Sequence, residues 1–200
     1  MGAMWRPLLV CCLLLAACER VPVDTEGNPL LHRAADAGDL SAIDRLIATG
    51  TPVNARDWCQ RTPLMLAAQA GHDAAVAQLL AQGAYVDLHE KGDYTALLLA
   101  AANGHTEVVQ QLAAGGADVN QIETTNGWTA LIWAAQQGHA TTVSALLALG
   151  ADPAIRDHTG MTAADRASQA GHPDLAARLE AQLTTVNATA IRPTDNRSAN

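Results

Sequence analysis

The sequence predicts an all-α solenoid, about five helix-turn-helix repeats linked by short β-hairpins and stacked in a row. One phrase recurs along the chain: Pro29-Leu30-Leu31-His32-Arg33-Ala34-Ala35, Thr62-Pro63-Leu64-Met65-Leu66-Ala67-Ala68 and Thr95-Ala96-Leu97-Leu98-Leu99-Ala100-Ala101. Weaker copies start at Thr129 and Thr162, so the spacings are 33, 33, 34 and 33 residues. After each phrase comes a glycine, at Gly38, Gly71, Gly104, Gly138 and Gly171, fit to end a helix in the left-handed conformation. A second helix is then predicted from apolar residues at helical spacing, such as Val76, Leu79 and Leu80 or Val143, Leu146 and Leu147.

Residues 1–17 are of another kind. Arg6 gives a positive start, Leu8 to Leu15 is almost wholly apolar, and Ala16-Ala17 are small, the order of an export signal. The apolar run is shorter than the roughly 20 residues that span a bilayer. Leu15-Ala16-Ala17-Cys18 resembles the lipobox of bacterial lipoproteins. That resemblance implies cleavage before Cys18, lipidation of Cys18, and a periplasmic protein held to a membrane by its lipid. Glu19 in place of aspartate favours the outer membrane. Residues 18–23 are then a lipidated cysteine and a short linker.

The repeats are read as 24–56, 57–89, 90–123, 124–156 and 157–183. Within each, Gly50, Gly83, Gly116 and Gly150 close the second helix of the first four, and extended pieces such as Pro52-Val53-Asn54 lead to the next turn. The alanine pairs, Ala67-Ala68 for example, let neighbouring inner helices approach closely. Asp165, Arg166, Ser168 and Glu180 give the fifth repeat the polar face that a terminal repeat needs. Residues 184–200 carry no periodicity and are expected to form a disordered tail.

T-P-L-H-x-A is the phrase of the ankyrin repeat, and residues 24–183 resemble that family throughout. The resemblance implies a protein-binding module, a monomer, that uses the hairpin tips and the exposed part of the inner helices. The matching tip positions are Trp58, Cys59 and Arg61, then Lys91, Gly92 and Tyr94, then Thr125, Asn126 and Trp128, then His158, Thr159 and Met161. On the inner helices they are Gln69, Ala102, Asn103, Gln136, Gln137 and Gln169. Aromatic residues are scarce, yet Trp58, Tyr94 and Trp128 occupy consecutive tips, and such residues dominate binding hot spots. The competing reading is that these rings pack on neighbouring turns and serve stability. Trp133 stands where Leu66 and Leu99 stand and is expected in the core.

His72, His105, His139 and His172 recur at one repeat position; in the ankyrin family this histidine ties adjacent turns together, and a row of equivalent positions does not converge on a metal. No metal site and no cofactor are expected. No G-x-S-x-G elbow, phosphate-binding glycine loop or H-E-x-x-H helix is present, which argues against an enzyme. The formal charge is −8, with no basic run, so nucleic acid is not an expected ligand. An acidic surface suits a basic protein partner. Cleavage at Cys18 would leave Cys59 the one free thiol, and a single cysteine cannot cross-link within its chain. By resemblance, two jobs fit: an immunity or inhibitor protein against an effector, or an accessory of an envelope enzyme such as a catalase in oxidative-stress defence. A structural envelope tether is the third reading.

Overall fold

The computed structural model describes Val23 and residues 29–190, with side chains described as far as Thr184. The predicted signal, the lipidated Cys18 and residues 191–200 lie outside the described residues, as does most of the first turn, 24–28.

Five inner helices, α1 (Leu30–Asp36), α3 (Pro63–Ala70), α5 (Ala96–Ala102), α7 (Ala130–Gln136) and α9 (Ala163–Gln169), alternate with five outer ones. The outer helices are α2 (Leu40–Ala48), α4 (Asp73–Ala81), α6 (Thr106–Ala114), α8 (Ala140–Ala148) and α10 (Pro173–Ala190). Each helix packs on its partner within the repeat; between repeats inner packs on inner throughout, and outer on outer from α2 to α8. The result is an all-α two-layer solenoid.

Local chemistry starts the last four inner helices at the same place, while α1 follows Pro29 without a side-chain cap. Thr62, Thr95, Thr129 and Thr162 adopt extended backbone, and each hydroxyl accepts the N–H three residues on, at 3.3, 3.4, 3.3 and 3.3 Å. This satisfies one of the N–H groups that a helix start leaves without partners. The helices then bury Leu64, Leu97 and Leu131 together with the alanines Ala67, Ala68, Ala100, Ala101, Ala134 and Ala135. Small side chains at these positions allow the inner layer to close up, while Val76, Leu79, Val109, Leu112, Val143 and Leu146 fill the space beneath it.

Neighbouring repeats are latched by polar bonds as well. His72, His105 and His139 each donate a ring N–H to a carbonyl of the preceding inner helix: Asp36 at 2.9 Å, Gln69 at 3.1 Å and Ala102 at 3.2 Å. At the base of the turns, Asn54 donates to the Gly83 carbonyl at 3.3 Å and accepts the Tyr85 N–H at 2.8 Å. Asn120 repeats the arrangement with Gly150 and Asp152 at 3.3 and 2.8 Å.

Three expectations need correction. The connections are not β-hairpins: among the described residues there are only isolated bridges, Val23 with Pro29 and His89 with Thr95. Each tip is a tight turn closed by two backbone bonds within the same few residues, such as the Asp57 N–H to the Arg61 carbonyl at 3.1 Å and the Gln60 N–H to the Asp57 carbonyl at 2.9 Å, which leaves no length for a ladder. The chain beyond Leu183 is helical to Ala190, so the first residues of the expected tail continue α10. The cause is local: Leu183 stands one repeat after Gly150, and no glycine or proline intervenes before Pro193 to stop the helix. Trp133 is half-buried at the surface of the inner layer and is not a core residue.

Candidate protein-binding face

The tips are ordered by one acid each, at Asp57, Glu90, Glu123 and Asp157, spaced 33, 33 and 34 residues apart. Asp57 accepts the N–H groups of Cys59 and Arg61, both at 2.9 Å. Asp157 does the same for Thr159 and Met161 at 2.8 and 3.0 Å. Glu90 accepts the Gly92 N–H at 3.2 Å. The fourth tip is one residue longer, and there the longer Glu123, fully buried, collects the N–H groups of Thr125, Asn126 and Trp128 at 2.6, 2.9 and 3.1 Å. These acids were not singled out from the sequence, although their spacing matches that of the repeated phrase and carries the signal.

Such corners hold the predicted binding residues at fixed places. Trp58 is 66% exposed and, among the described residues, its indole has no ring or hydrogen-bond partner. It lines a cavity of about 360 Å³ with His32, Arg61, Leu66 and Gln69 between the first two inner helices. Arg61 is tied down, its guanidinium on Asp57 at 2.8 Å, but keeps 38% of its side chain exposed. Cys59 is a free, exposed thiol. Gln69, Lys91, Asn103, Gln137, His158 and Gln169 are all exposed, and Ala102, Gly92, Asn126 and Gln136 are half-buried. Asn103 also donates to the Leu99 carbonyl at 2.8 Å, closing α5. The exposed Thr125 and Thr159 and the half-buried Met161 fall within the acid-bound turns.

The other two tip aromatics are built into the scaffold. Trp128 donates its indole N–H to Asp157 at 3.1 Å, meets Trp133 edge to face at 4.5 Å between centroids, and carries the Arg166 guanidinium 5.0 Å above its ring. Tyr94 is half-buried and tilts against Trp133 at 6.0 Å. The three rings therefore form one cluster across the third and fourth repeats, with Trp58 standing apart. The link from Trp128 to Asp157 spans 29 residues and has no counterpart in the local sequence pattern.

Charge in this region is set by contacts. Burial, the largest influence on Asp157, would raise its pKa, but bonds from the Thr159 hydroxyl, the Met161 N–H and Arg166 outweigh it and hold the carboxyl far below its ordinary value. Arg166 reaches this carboxylate with its Nε at 2.7 Å. Burial, then the charges of Glu123 and Glu90, push the Tyr94 hydroxyl upward. His32 is 3% exposed and donates its Nε2–H to the Arg61 carbonyl at 2.9 Å, while its Nδ1 has no partner; burial pushes its pKa down against that bond.

Among the described residues no group of histidines, cysteines and acids has metal-binding geometry, and no helix is long and apolar enough to cross a membrane. No curated protein matches the chain. The family described as ankyrin repeats (3 copies) matches at residues 6–90, 31–123, 64–157 and 97–189, overlapping segments that cover most of the sequence. With its tip turns, its paired helices and its histidine latches, the chain belongs to the ankyrin-repeat family.

Proposed function

We propose that this chain is an exported, lipid-anchored binder of one protein partner, and that it acts as an immunity or inhibitor protein against an effector in the periplasm. Ankyrin repeats in general mediate protein–protein binding and are typically non-enzymatic, and that is the base of the reading. The observation that carries it is Trp58, a large apolar ring held out at 66% exposure by an acid-locked tip, beside the exposed Gln69. A ring so placed adds nothing to the core and gains by being covered. The export and lipid anchor rest on Leu15-Ala16-Ala17-Cys18.

The test uses the full chain with Trp58→Ala and Gln69→Arg. Loss of partner capture and of inhibition, with the melting curve unchanged, supports the reading; retained inhibition by both variants overturns it. Cys18→Ser should abolish incorporation of a labelled fatty acid, and incorporation that persists would refute the anchor.

A further inference from the structure

The outer helix of the first repeat is less covered than those of the next three. Ala42 and Leu46 of α2 are half-buried. Their counterparts in α4, α6 and α8 are Ala75, Val108 and Thr142 for the one and Leu79, Leu112 and Leu146 for the other, all at 0 or 1% exposure. Those later residues are covered by the outer helix of the preceding repeat, on which their own helix packs. Around Ala42 and Leu46 the same face, together with Leu30 and Ala34 of α1, lines a groove of about 600 Å³.

The chain one period upstream matches the element that this face calls for. Val23 bridges Pro29 as His89 bridges Thr95, two periods later, so the register of the repeats holds back to Val23. Counting one 33-residue period back from α2 reaches residues 7–15. Pro7 falls where Pro173 starts α10, the first position of a helix, at which proline's fixed φ suits and its missing N–H costs nothing. Val10, Leu13 and Leu14 fall at the places of Ile43, Leu46 and Ile47, the apolar stripe of α2. Eight residues, 16–23, lead from this segment to Asp24, as eight, 49–56, lead from α2 to the corner acid Asp57. The ankyrin match itself begins at residue 6.

We propose that residues 7–15, in the chain that still carries them, form a half-repeat: an outer helix that lies in the α1–α2 groove and lays its apolar stripe over Ala42 and Leu46. The segment is tethered a few residues from the groove, so the entropy of bringing it there is small, and each apolar side chain it docks leaves water. The stretch that reads as an export signal is thus also the first layer of the solenoid. Cleavage before Cys18 removes that layer and uncovers the groove. The proposal concerns the unprocessed chain and does not rest on the partner reading above.

Residues 34 apart on adjacent outer helices touch: Gln78 donates to the Asp44 carboxylate, and Arg178 to the Ser144 hydroxyl at 2.9 Å. The same step sets Cys11 beside Arg45 and turns Cys12 about 100° away around the helix. The test uses the full 200-residue chain, made by cell-free synthesis without membranes so that it keeps residues 1–17. It carries Arg45→Cys, an exposed position, with either Cys11 or Cys12 as the one other thiol and the remaining cysteines changed to serine. Under mild oxidation an intramolecular disulfide is expected to form about 10-fold faster from Cys11 than from Cys12, since the bond tolerates little error in direction. Val10→Asp, which sets a charge at the buried place of Ile43, should remove that preference. In the natural sequence Val10→Asp should also speed amide exchange across α2 and leave α6 unchanged. Equal rates from the two cysteines, no cross-link, a preference that survives Val10→Asp, or unchanged exchange in α2 would overturn the proposal. A covalent dimer in place of the intramolecular bond would assign the groove to a second copy and overturn it as well. None of these outcomes depends on lipidation at Cys18 or on capture through Trp58, so failure here leaves the proposed function standing.

Discussion

Replacing Gly71 by alanine and comparing it with the same change at Gly83 isolates what a histidine latch contributes. Both glycines are left-handed, with φ of 77° and 85°. An added methyl group at Gly83 meets nothing within 4 Å, so its cost is the backbone strain alone, about 1 kcal/mol. At Gly71 the new Cβ would lie 2.5 Å from the His105 ring. The ring must swing away, and its 3.1 Å bond to the Gln69 carbonyl is then lost, a further ~1 kcal/mol. The expected losses are therefore roughly 1 kcal/mol at Gly83 and roughly 2 at Gly71, or about 2–4 °C and 4–8 °C of melting temperature for a chain of this size. Urea unfolding followed by circular dichroism measures both. In a His105→Ala background the excess at Gly71 should vanish, since there is no ring to displace. Equal losses in the two single variants, or an excess that survives without His105, would refute the reasoning.

Gln60 and Asp93 hold left-handed φ values of 67° and 60° where the later tips have Gly127 and Gly160. Gln60→Gly should accordingly stabilise the chain by ~1 kcal/mol, read as a higher urea midpoint; the side-chain contact it removes is an exposed 3.4 Å bond from Arg56, which keeps its bond to the Gln60 carbonyl. Trp128→Leu should cost about 2 kcal/mol by removing a hydrogen bond, a ring contact and a cation contact together, whereas Trp58→Ala should stay within about 0.5 kcal/mol; thermal melts of both separate the scaffold ring from the exposed one. Burial lowers the folded-state pKa of His32, so folding favours its neutral ring. That contribution is complete above the unfolded value of 6.5 and declines as pH falls below it through the folded value. The urea midpoint should drop between neutral pH and pH about 5, and His32→Gln should flatten that part of the profile; an unchanged slope would assign the drop to other groups.

The repeat architecture was legible because a 33-residue period leaves few ways to bury the leucines of Val76-to-Leu80 or Val143-to-Leu147 other than stacking. The starts of four inner helices were equally plain, each marked by a threonine ahead of an apolar run: Thr62, Thr95, Thr129 and Thr162. The end of α10 was not, since it depends on a stop residue that Leu183 replaces, and an absent signal is harder to read than a present one. At the candidate site, exposure of Trp58 followed from its place on a tip. The roles of Trp128 and Tyr94 did not, because they are fixed by partners in other repeats: Asp157 and Arg166 for one, Trp133 for the other. Analogy with leucine places Trp133 in the core, but that slot lies at the edge of the inner layer, where Leu99 is itself half-buried, and the indole meets Tyr94 and Trp128 of the tips there. The corner acids carried a readable period yet looked like ordinary turn residues, since nothing local distinguishes an exposed acid from one that gathers two or three N–H groups of its turn.

The acceptors of the histidine latches are main-chain oxygens, those of Asp36, Gln69 and Ala102. Cohesion between modules thus draws on atoms that every amino acid has, while the side chains of the same three residues stay outside the bond. Asp36 and Gln69 are exposed and Ala102 is half-covered. Evolution, or an engineer, is free to rewrite what these positions display to a partner and leave the joints between modules unaltered.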